Sequence, residues 1–365
     1  MKKLITVLVV LMLISSLFTG CVQQPETPSA TQSPATETSQ VESSSATTKK
    51  IAVITGTGGL GDKNLNDFVY DGVKKHEAEG IKVDVVQPKD SSDFDNLQKL
   101  YAESGEYATI VCITLDQVDP LAKNAADFPN QSFILCDAYL DAPNVMNIGF
   151  KMEDTGFQLG VVAGMIVKEN NLPNARGQNT IGFIGGMDIP LINSFYAGYM
   201  AGAKLVNPDV KILGAYVGSF GDPSTAEELA TGLYEQGADI IFACAGGSGL
   251  GVFTAAEKSK GYALGIETNQ NTISPDTIIA SGMRDWGKLV YDMTQLALDG
   301  TIEGGSINYG IADGVLRVER EGSNVVIGDD VMVKLQELSD RVSDGSLKLP
   351  TTLDAVDAFI EQNVE

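Results

Sequence analysis

The chain repeats its own opening grammar. Ile51-Ala52-Val53-Ile54-Thr55-Gly56 and Ile181-Gly182-Phe183-Ile184-Gly185-Gly186 each run an apolar strand into glycine, and an amphipathic helical stretch follows each. Short β-branched runs alternate with helical-period segments along both series, the pattern of a parallel sheet covered by helices. The first series offers strands at Ile51 to Thr55, Val83 to Gln87, Thr109 to Ile113, Ser132 to Cys136 and Val145 to Gly149. The second offers Thr180 to Ile184, Lys211 to Tyr216, Asp239 to Cys244 and Ala263 to Glu267. The stretch from residue 50 onward is too long for one open sheet of ordinary size. The expected fold is therefore α/β, with two doubly wound parallel-sheet domains joined by a hinge. Residues 50–150 plus 283–317 should form an N-terminal lobe, and 151–282 plus 318–365 a C-terminal lobe. Ligands of such sheets meet the loops at the strands' carboxyl ends, so the cleft between two such lobes is the expected site.

The N-terminus reads as an export signal. Lys2 and Lys3 precede an apolar run from Leu4 to Ile14 broken only by Thr6, and Leu17-Phe18-Thr19-Gly20-Cys21 closes it. That run is short for a membrane span. Small residues before a cysteine suit lipoprotein processing, so residues 1–20 are expected to be removed and Cys21 to carry a lipid. An uncleaved anchor with an incidental cysteine is the alternative, and it too tethers the protein outside the cytoplasm. Residues 21–49 are rich in Ser, Thr, Pro and Gln and cannot bury enough surface to offset ordering entropy, which makes them a disordered stalk.

Forty-eight acidic residues against 25 basic ones give a net charge of −23, which repels phosphate backbones, so no nucleic-acid partner is expected. Cys112, Cys136 and Cys244 read as buried small hydrophobes, with a Cys112 to Cys136 disulfide left open. His76, the single histidine, lies in a charged helical stretch and is expected to be solvated.

Gly56-Thr57-Gly58-Gly59-Leu60-Gly61 satisfies the dinucleotide-binding G-x-G-x-x-G pattern. The second strand, however, ends Val85-Val86-Gln87-Pro88, without the acidic residue that would hold a ribose. One solvated histidine leaves no base for a Ser or Cys triad, no G-x-S-x-G elbow occurs, and no His/Cys cluster suits a metal. A carboxylate pair for glycoside chemistry is not singled out by spacing. Neither catalysis nor a cofactor is expected.

Read in order, the strand-end loops carry a resemblance. Gly58-Gly59-Leu60-Gly61-Asp62-Lys63-Asn64-Leu65-Asn66, with Tyr70-Asp71-Gly72 behind it, resembles the opening signature of the basic membrane protein family of ABC substrate-binding lipoproteins, the purine nucleoside receptor group. Phe133-Ile134-Leu135-Cys136-Asp137, Ile181 to Met187 with Ile189-Pro190 and Phe195, Gly218-Ser219-Phe220-Gly221-Asp222, and Gly237 to Phe242 running into Ala245 to Val252 follow in family order.

That resemblance implies a periplasmic-binding-protein type I-like fold with a purine nucleoside in the cleft. Asp62 opens the first helix, where it can accept from the ligand or cap the helix, and Asn66 lies in the same motif. Asp137 ends a strand and can read a purine N–H edge. Tyr70 and Phe195 can stack on the base or serve as core aromatics; Phe220 is a further candidate. Gly246 and Gly247 offer backbone N–H groups at close range. Glu267 stands where the family has Asp, and Arg284 where it has Lys; both are expected at the ligand, and the exchanges put the cargo in question rather than the fold. Trp286 is expected to pack. The implied protein is a monomeric lipoprotein bound to the membrane through Cys21 on its extracytoplasmic face, delivering its ligand to an ABC permease. A sensor subunit, or an exported enzyme of the same fold using Asp62 or Asp137, are the alternatives.

Overall fold

The computed structural model describes residues 50–62 and 64–364; the leader, Cys21 and the stalk lie outside the described residues. β1 (Lys50–Ile54), α1 (Leu65–Lys74), β2 (Val83–Val86), α2 (Phe94–Ser104), β3 (Tyr107–Ile113), α3 (Val118–Asp127), β4 (Phe133–Cys136) and β5 (Val145–Phe150) come first. Next are α4 (Met152–Glu169), β6 (Thr180–Gly185), α5 (Pro190–Val206), β7 (Lys211–Tyr216), α6 (Pro223–Glu235), β8 (Ile240–Cys244), α7 (Gly249–Ser259), β9 (Tyr262–Glu267) and β10 (Ile278–Arg284). The chain closes with α8 (Trp286–Leu298), β11 (Gly305–Tyr309), β12 (Leu316–Glu319), α9 (Asp329–Ser343) and α10 (Val356–Asn363).

The strands form two six-stranded sheets, ordered β11-β5-β4-β3-β1-β2 and β12-β10-β9-β8-β6-β7. Each is the doubly wound α/β arrangement expected from the repeated grammar. One strand departs from the wholly parallel expectation, since β12 runs antiparallel to β10. Three strands escaped the pattern reading: β10, β11 and β12. In β10 the reason is packing, because a Cβ at Gly282 would lie 2.8 Å from Thr155 Cγ2 of α4, so small residues replace the β-branched run that marks the other strands.

The chain passes between the sheets three times, from Phe150 to Met152, from Arg284 to Trp286, and from Tyr309 to Leu316. These crossings are tied to one another: Lys151 N–H donates to the Tyr309 carbonyl at 2.8 Å, and Asp285 N–H to that of Val315 at 3.1 Å.

Strand alternation sends one set of side chains to each face. Ile51 and Val53 join one buried cluster with Val111 and Ile113, while Ala52 and Ile54 join another with Ile110 and Cys112. The same alternation decides the disulfide question. Ile113 pairs with Cys136, so Cys112 and Cys136 occupy opposite faces of the sheet, and both are free and buried.

α4 and α5 pack backbone against backbone. A Cβ at Gly160 would lie 2.1 Å from the Tyr199 carbonyl oxygen, and one at Gly198 would lie 2.0 Å from that of Glu153. Only glycine permits this approach, and it holds the start of α4 and the first turns of α5 in fixed register.

His76 is not solvated, contrary to expectation. It is fully buried, with Nε2 2.8 Å from Thr294 Oγ1 and its ring stacked on Tyr291 at 4.3 Å between centroids. Both partners lie on α8, more than two hundred residues away in sequence, so the local charge pattern that suggested exposure carried no trace of them. No helix among the described residues is long and apolar enough to cross a membrane.

Candidate functional site

Backbone strain marks the carboxyl ends of the strands. Thr114, next after β3, has φ 86°; Asp137, next after β4, has φ 59°; Glu267, the last residue of β9, has φ 71°. Non-glycine residues rarely hold such values, a β-branched one least of all, and they persist where surrounding structure over-determines them. Two of the three converge on one guanidinium.

That guanidinium belongs to Arg284, the final residue of β10, which is only 1% exposed. Its Nε donates to Glu267 Oε2 at 2.8 Å and its Nη2 to Glu267 Oε1, a two-pronged ion pair within the second sheet. Its Nη1 reaches the other way, to Asp137 Oδ1 at 3.3 Å and to Met152 Sδ at 3.0 Å. Trp286 Nε1 adds a donor to Glu267 Oε2 at 3.3 Å. The rings of Phe150, Phe195 and Trp286 surround the guanidinium carbon at 5.2, 5.3 and 5.4 Å. Phe150, Asp137 and Trp286 come with the first sheet's strands and covering helix, whereas Phe195, Glu267 and Met152 come with the second. Arg284 therefore joins the two halves beside a crossing.

The electrostatics follow from burial and pairing. Burial opposes the Arg284 charge, but the carboxylates of Glu267 and Asp137 more than offset it and hold its pKa above the ordinary value. Burial likewise pushes the Glu267 carboxyl up, against the pull of Arg284. A second buried carboxyl, Asp154 on α4, accepts from Ile311 N–H at 2.8 Å in the third crossing and is pushed up to about 6, first by burial.

Asp137, Phe195, Glu267 and Arg284 thus come together, while the other expected residues lie elsewhere. Asp62 braces the glycine-rich loop: Oδ1 accepts from Asn64 N–H at 2.9 Å and Oδ2 from Asn66 Nδ2 at 2.8 Å. Asn66 Oδ1 in turn accepts from Gly56 N–H at 2.7 Å. Tyr70 is half-buried on α1, with the Lys74 ammonium 5.5 Å over its ring. Phe195 is buried beneath Arg284 and tilts edge-on to Phe242 at 6.4 Å. Gly246 and Gly247 open the turn after β8, where a Cβ on Gly247 would stand 3.2 Å from the Phe220 carbonyl oxygen.

Exposed apolar groups also lie after the strand ends; Phe220 was a candidate from the sequence, whereas Leu115, Tyr139 and Met187 were not. Leu115 follows β3, Tyr139 follows β4, Met187 follows β6, and Phe220 follows β7; all four side chains are exposed. They are four of the ten exposed large apolar side chains among the described residues, and they follow the same carboxyl ends of strands that carry Asp137 and Glu267. The sequence signal for Leu115, Tyr139 and Met187 was position alone, two or three residues after an apolar strand. No group of His, Cys, Asp and Glu suited to a metal occurs among the described residues.

Two doubly wound lobes, with a charged and aromatic cluster where their strand ends meet, are an arrangement that solute-binding proteins use. The model of the PnrA-like ABC transporter substrate-binding proteins (Bmp) matches residues 49–348, and the chain belongs to that family. An uncharacterized lipoprotein of Pyrococcus horikoshii is 32% identical over 277 residues, 72% of this chain and 67% of that protein. Basic membrane protein A of Borreliella burgdorferi is 29% identical over 319 residues, 85% of this chain and 90% of its own length. A crystal structure of ABC transporter solute-binding proteins from Aeropyrum pernix shares the fold at a TM-score of 0.76 and 24% identity, covering 86% of this chain and 97% of that one. As a substrate-binding protein of an ABC system, the chain has a small-molecule ligand and a permease as its partners.

Proposed function

We propose that this chain is the lipid-anchored receptor of an ABC importer and that it captures a purine nucleoside between its lobes. Residues 1–20 direct export, Cys21 carries the lipid, and residues 21–49 space the folded body from the membrane. The two lobes close on the ligand about the three crossings, and no bond of the ligand is broken.

The observation that supports this reading is the convergence of Asp137 on Arg284 between the two lobes. Asp137 Oδ1 is held by the guanidinium, and its side chain keeps 14% exposure, so it can accept from the N–H edge of a base. Tyr139 and Phe220 supply exposed ring faces on the strand-end loops of the two lobes. Stacking on such a ring is worth about 1 to 3 kcal/mol per base. Gly246 and Gly247 leave the backbone accessible to a polar ligand atom.

Mass spectrometry of small molecules released from freshly purified protein tests the assignment. A purine nucleoside should be recovered. Thermal-shift titration with inosine and guanosine should raise the melting temperature, since ligand at about a hundred times Kd adds roughly 2.7 kcal/mol. Absence of a nucleoside in the released pool together with no shift refutes the purine assignment. Appearance of free base during incubation refutes the view that the ligand leaves unchanged.

A further inference from the structure

We infer that Glu267 and Arg284 do not grip the ligand but act as one closed positioning unit that aims Asp137. The consequence is that the site selects its ligand by a hydrogen-bond donor and does not require a sugar diol. This rests on the proposed nucleoside site and narrows what that site reads.

Acceptor geometry makes the case for Glu267. A carboxylate offers about four lone-pair positions. Three are taken from within the protein, by Arg284 Nη2 on Oε1 and by Arg284 Nε and Trp286 Nε1 on Oε2. Two hydroxyls of one diol need two positions on the same carboxylate, and Glu267 is only 7% exposed. Arg284 is closed in the same way. Four of its five N–H donors are committed to Glu267, Asp137 and Met152, and three aromatic rings pack against it. With 1% of Arg284 exposed, a ligand reaches the guanidinium only by displacing a side chain packed against it.

Asp137 is the open end of the unit. Its Oδ1 is fixed by Arg284, its backbone is held at φ 59°, and among the described residues its Oδ2 has no hydrogen-bond partner. The three groups carry two negative charges and one positive. What they present to a ligand is one oriented acceptor with net negative charge. An N–H donor or a cation fits that acceptor, whereas a phosphate is repelled.

Isothermal titration of protein stripped of ligand by unfolding and refolding provides the test, with inosine and 2′,3′-dideoxyinosine as probes. The parent and Glu267→Gln are compared in a cycle of ligand change against residue change. A positioning unit predicts that Glu267→Gln weakens both nucleosides by the same factor, at least about tenfold, leaving their ratio unchanged within about twofold. A carboxylate gripping the diol predicts instead that only inosine weakens, so that the ratio collapses by about tenfold or more; that result overturns the inference. Arg284→Lys, which keeps the charge without the fork, should recover part of the affinity lost in Arg284→Met.

If Glu267→Gln fails to fold, the double variant Glu267→Leu/Arg284→Met, which removes both charges, takes its place in the cycle. Thermal unfolding of the stripped protein tests, without any ligand, whether Glu267 and Arg284 form one coupled unit. A closed unit predicts that Glu267→Gln and Arg284→Met each lower the melting temperature and that the double variant loses less than the two together. Single variants as stable as the parent, or more stable, overturn the inference. The absence of both heat and a thermal shift with either nucleoside refutes the purine assignment alone, and single variants as stable as the parent would still overturn the coupled unit.

Discussion

Gly160→Ala should be among the most damaging single-methyl changes in the molecule, and the same substitution at Gly232 should be beneficial. Both glycines lie in helices, α4 and α6. A Cβ at Gly160 would stand 2.1 Å from the Tyr199 carbonyl oxygen and 3.0 Å from Ala203 N, both backbone atoms of α5. No side chain can rotate to make room, so the helices must part by about 1 Å. A gap of that size forfeits roughly a quarter to a half of each dispersion contact across the interface. Overpacking of this kind costs about 1 to 3 kcal/mol, and a backbone-to-backbone contact belongs at the upper end. Alanine's helix propensity returns up to about 1 kcal/mol, leaving a net loss of about 2 kcal/mol. At Gly232 a Cβ meets nothing within 4 Å, so only the propensity gain remains, about 0.5 to 1 kcal/mol. Urea unfolding, read as a midpoint shift at constant slope, should therefore move the two variants in opposite directions. Gly160→Ala matching or exceeding the parent midpoint would refute the reading of α4 and α5 as a backbone contact. Because α4 begins at Met152 and α5 carries Phe195, both against Arg284, the damaged variant should also lose ligand affinity.

Further outcomes follow from the charged and buried groups. Asp154, pushed up to about 6 by burial, binds its proton more tightly folded than unfolded. Its stabilising contribution is complete below about pH 4 and is lost as pH rises through about 6, by up to roughly 3 kcal/mol. Asp154→Asn should therefore raise the urea midpoint at pH 8 and leave it nearly unchanged at pH 4; equal effects at both would contradict this assignment. Asp137→Asn should weaken inosine binding by about tenfold or more while preserving the fold by circular dichroism, and undiminished affinity would exclude Asp137 as the acceptor. Inosine 5′-monophosphate should bind at least about a hundredfold more weakly than inosine in the same titration. Cys112, Cys136 and Cys244 are buried, and burial pushes each thiol up, so a chromogenic disulfide reagent should react with them only on unfolding.

Sequence pattern located most of the fold because most strands advertise themselves. β1, β3, β6 and β8 are β-branched or aromatic runs that end at glycine, threonine or alanine turns, and each lies within a residue or two of its expected span. β10 was invisible for a physical reason: its small residues are dictated by α4, a partner that only the fold supplies. The same limit applies to the candidate site. Position at a strand end placed Asp137 and Glu267, and only the family resemblance pointed to Arg284, yet neither says that Glu267 and Arg284 close on each other. Phe195 follows the first strand of its series as expected, but its ring serves as a wall beside a guanidinium. Nor does Thr114 carry any mark of its left-handed backbone, since glycine or asparagine would be the usual signal.

The contacts of Arg284 differ in kind, and the difference links the site to the crossings. Glu267 and Arg284 sit on adjacent strands of one sheet, where Met283 pairs with Glu267, so their ion pair is fixed by the ladder. Asp137 belongs to the other sheet, and its bond to Arg284 is the longer one at 3.3 Å. The crossing from Arg284 to Trp286 lies directly behind this bond, and its Asp285 amide is tied to Val315 in the next crossing. On the proposed reading, lobe closure about these crossings leaves the Glu267 pair intact and acts on the longer bond between Asp137 and Arg284. In that reading the Glu267 and Arg284 pair is the fixed element and Asp137 the acceptor that closure brings to the ligand. Replacing the Glu267 pair should change how well Asp137 is aimed in every closed complex, whichever donor the ligand offers. Replacing Asp137 should remove the response to the donor alone.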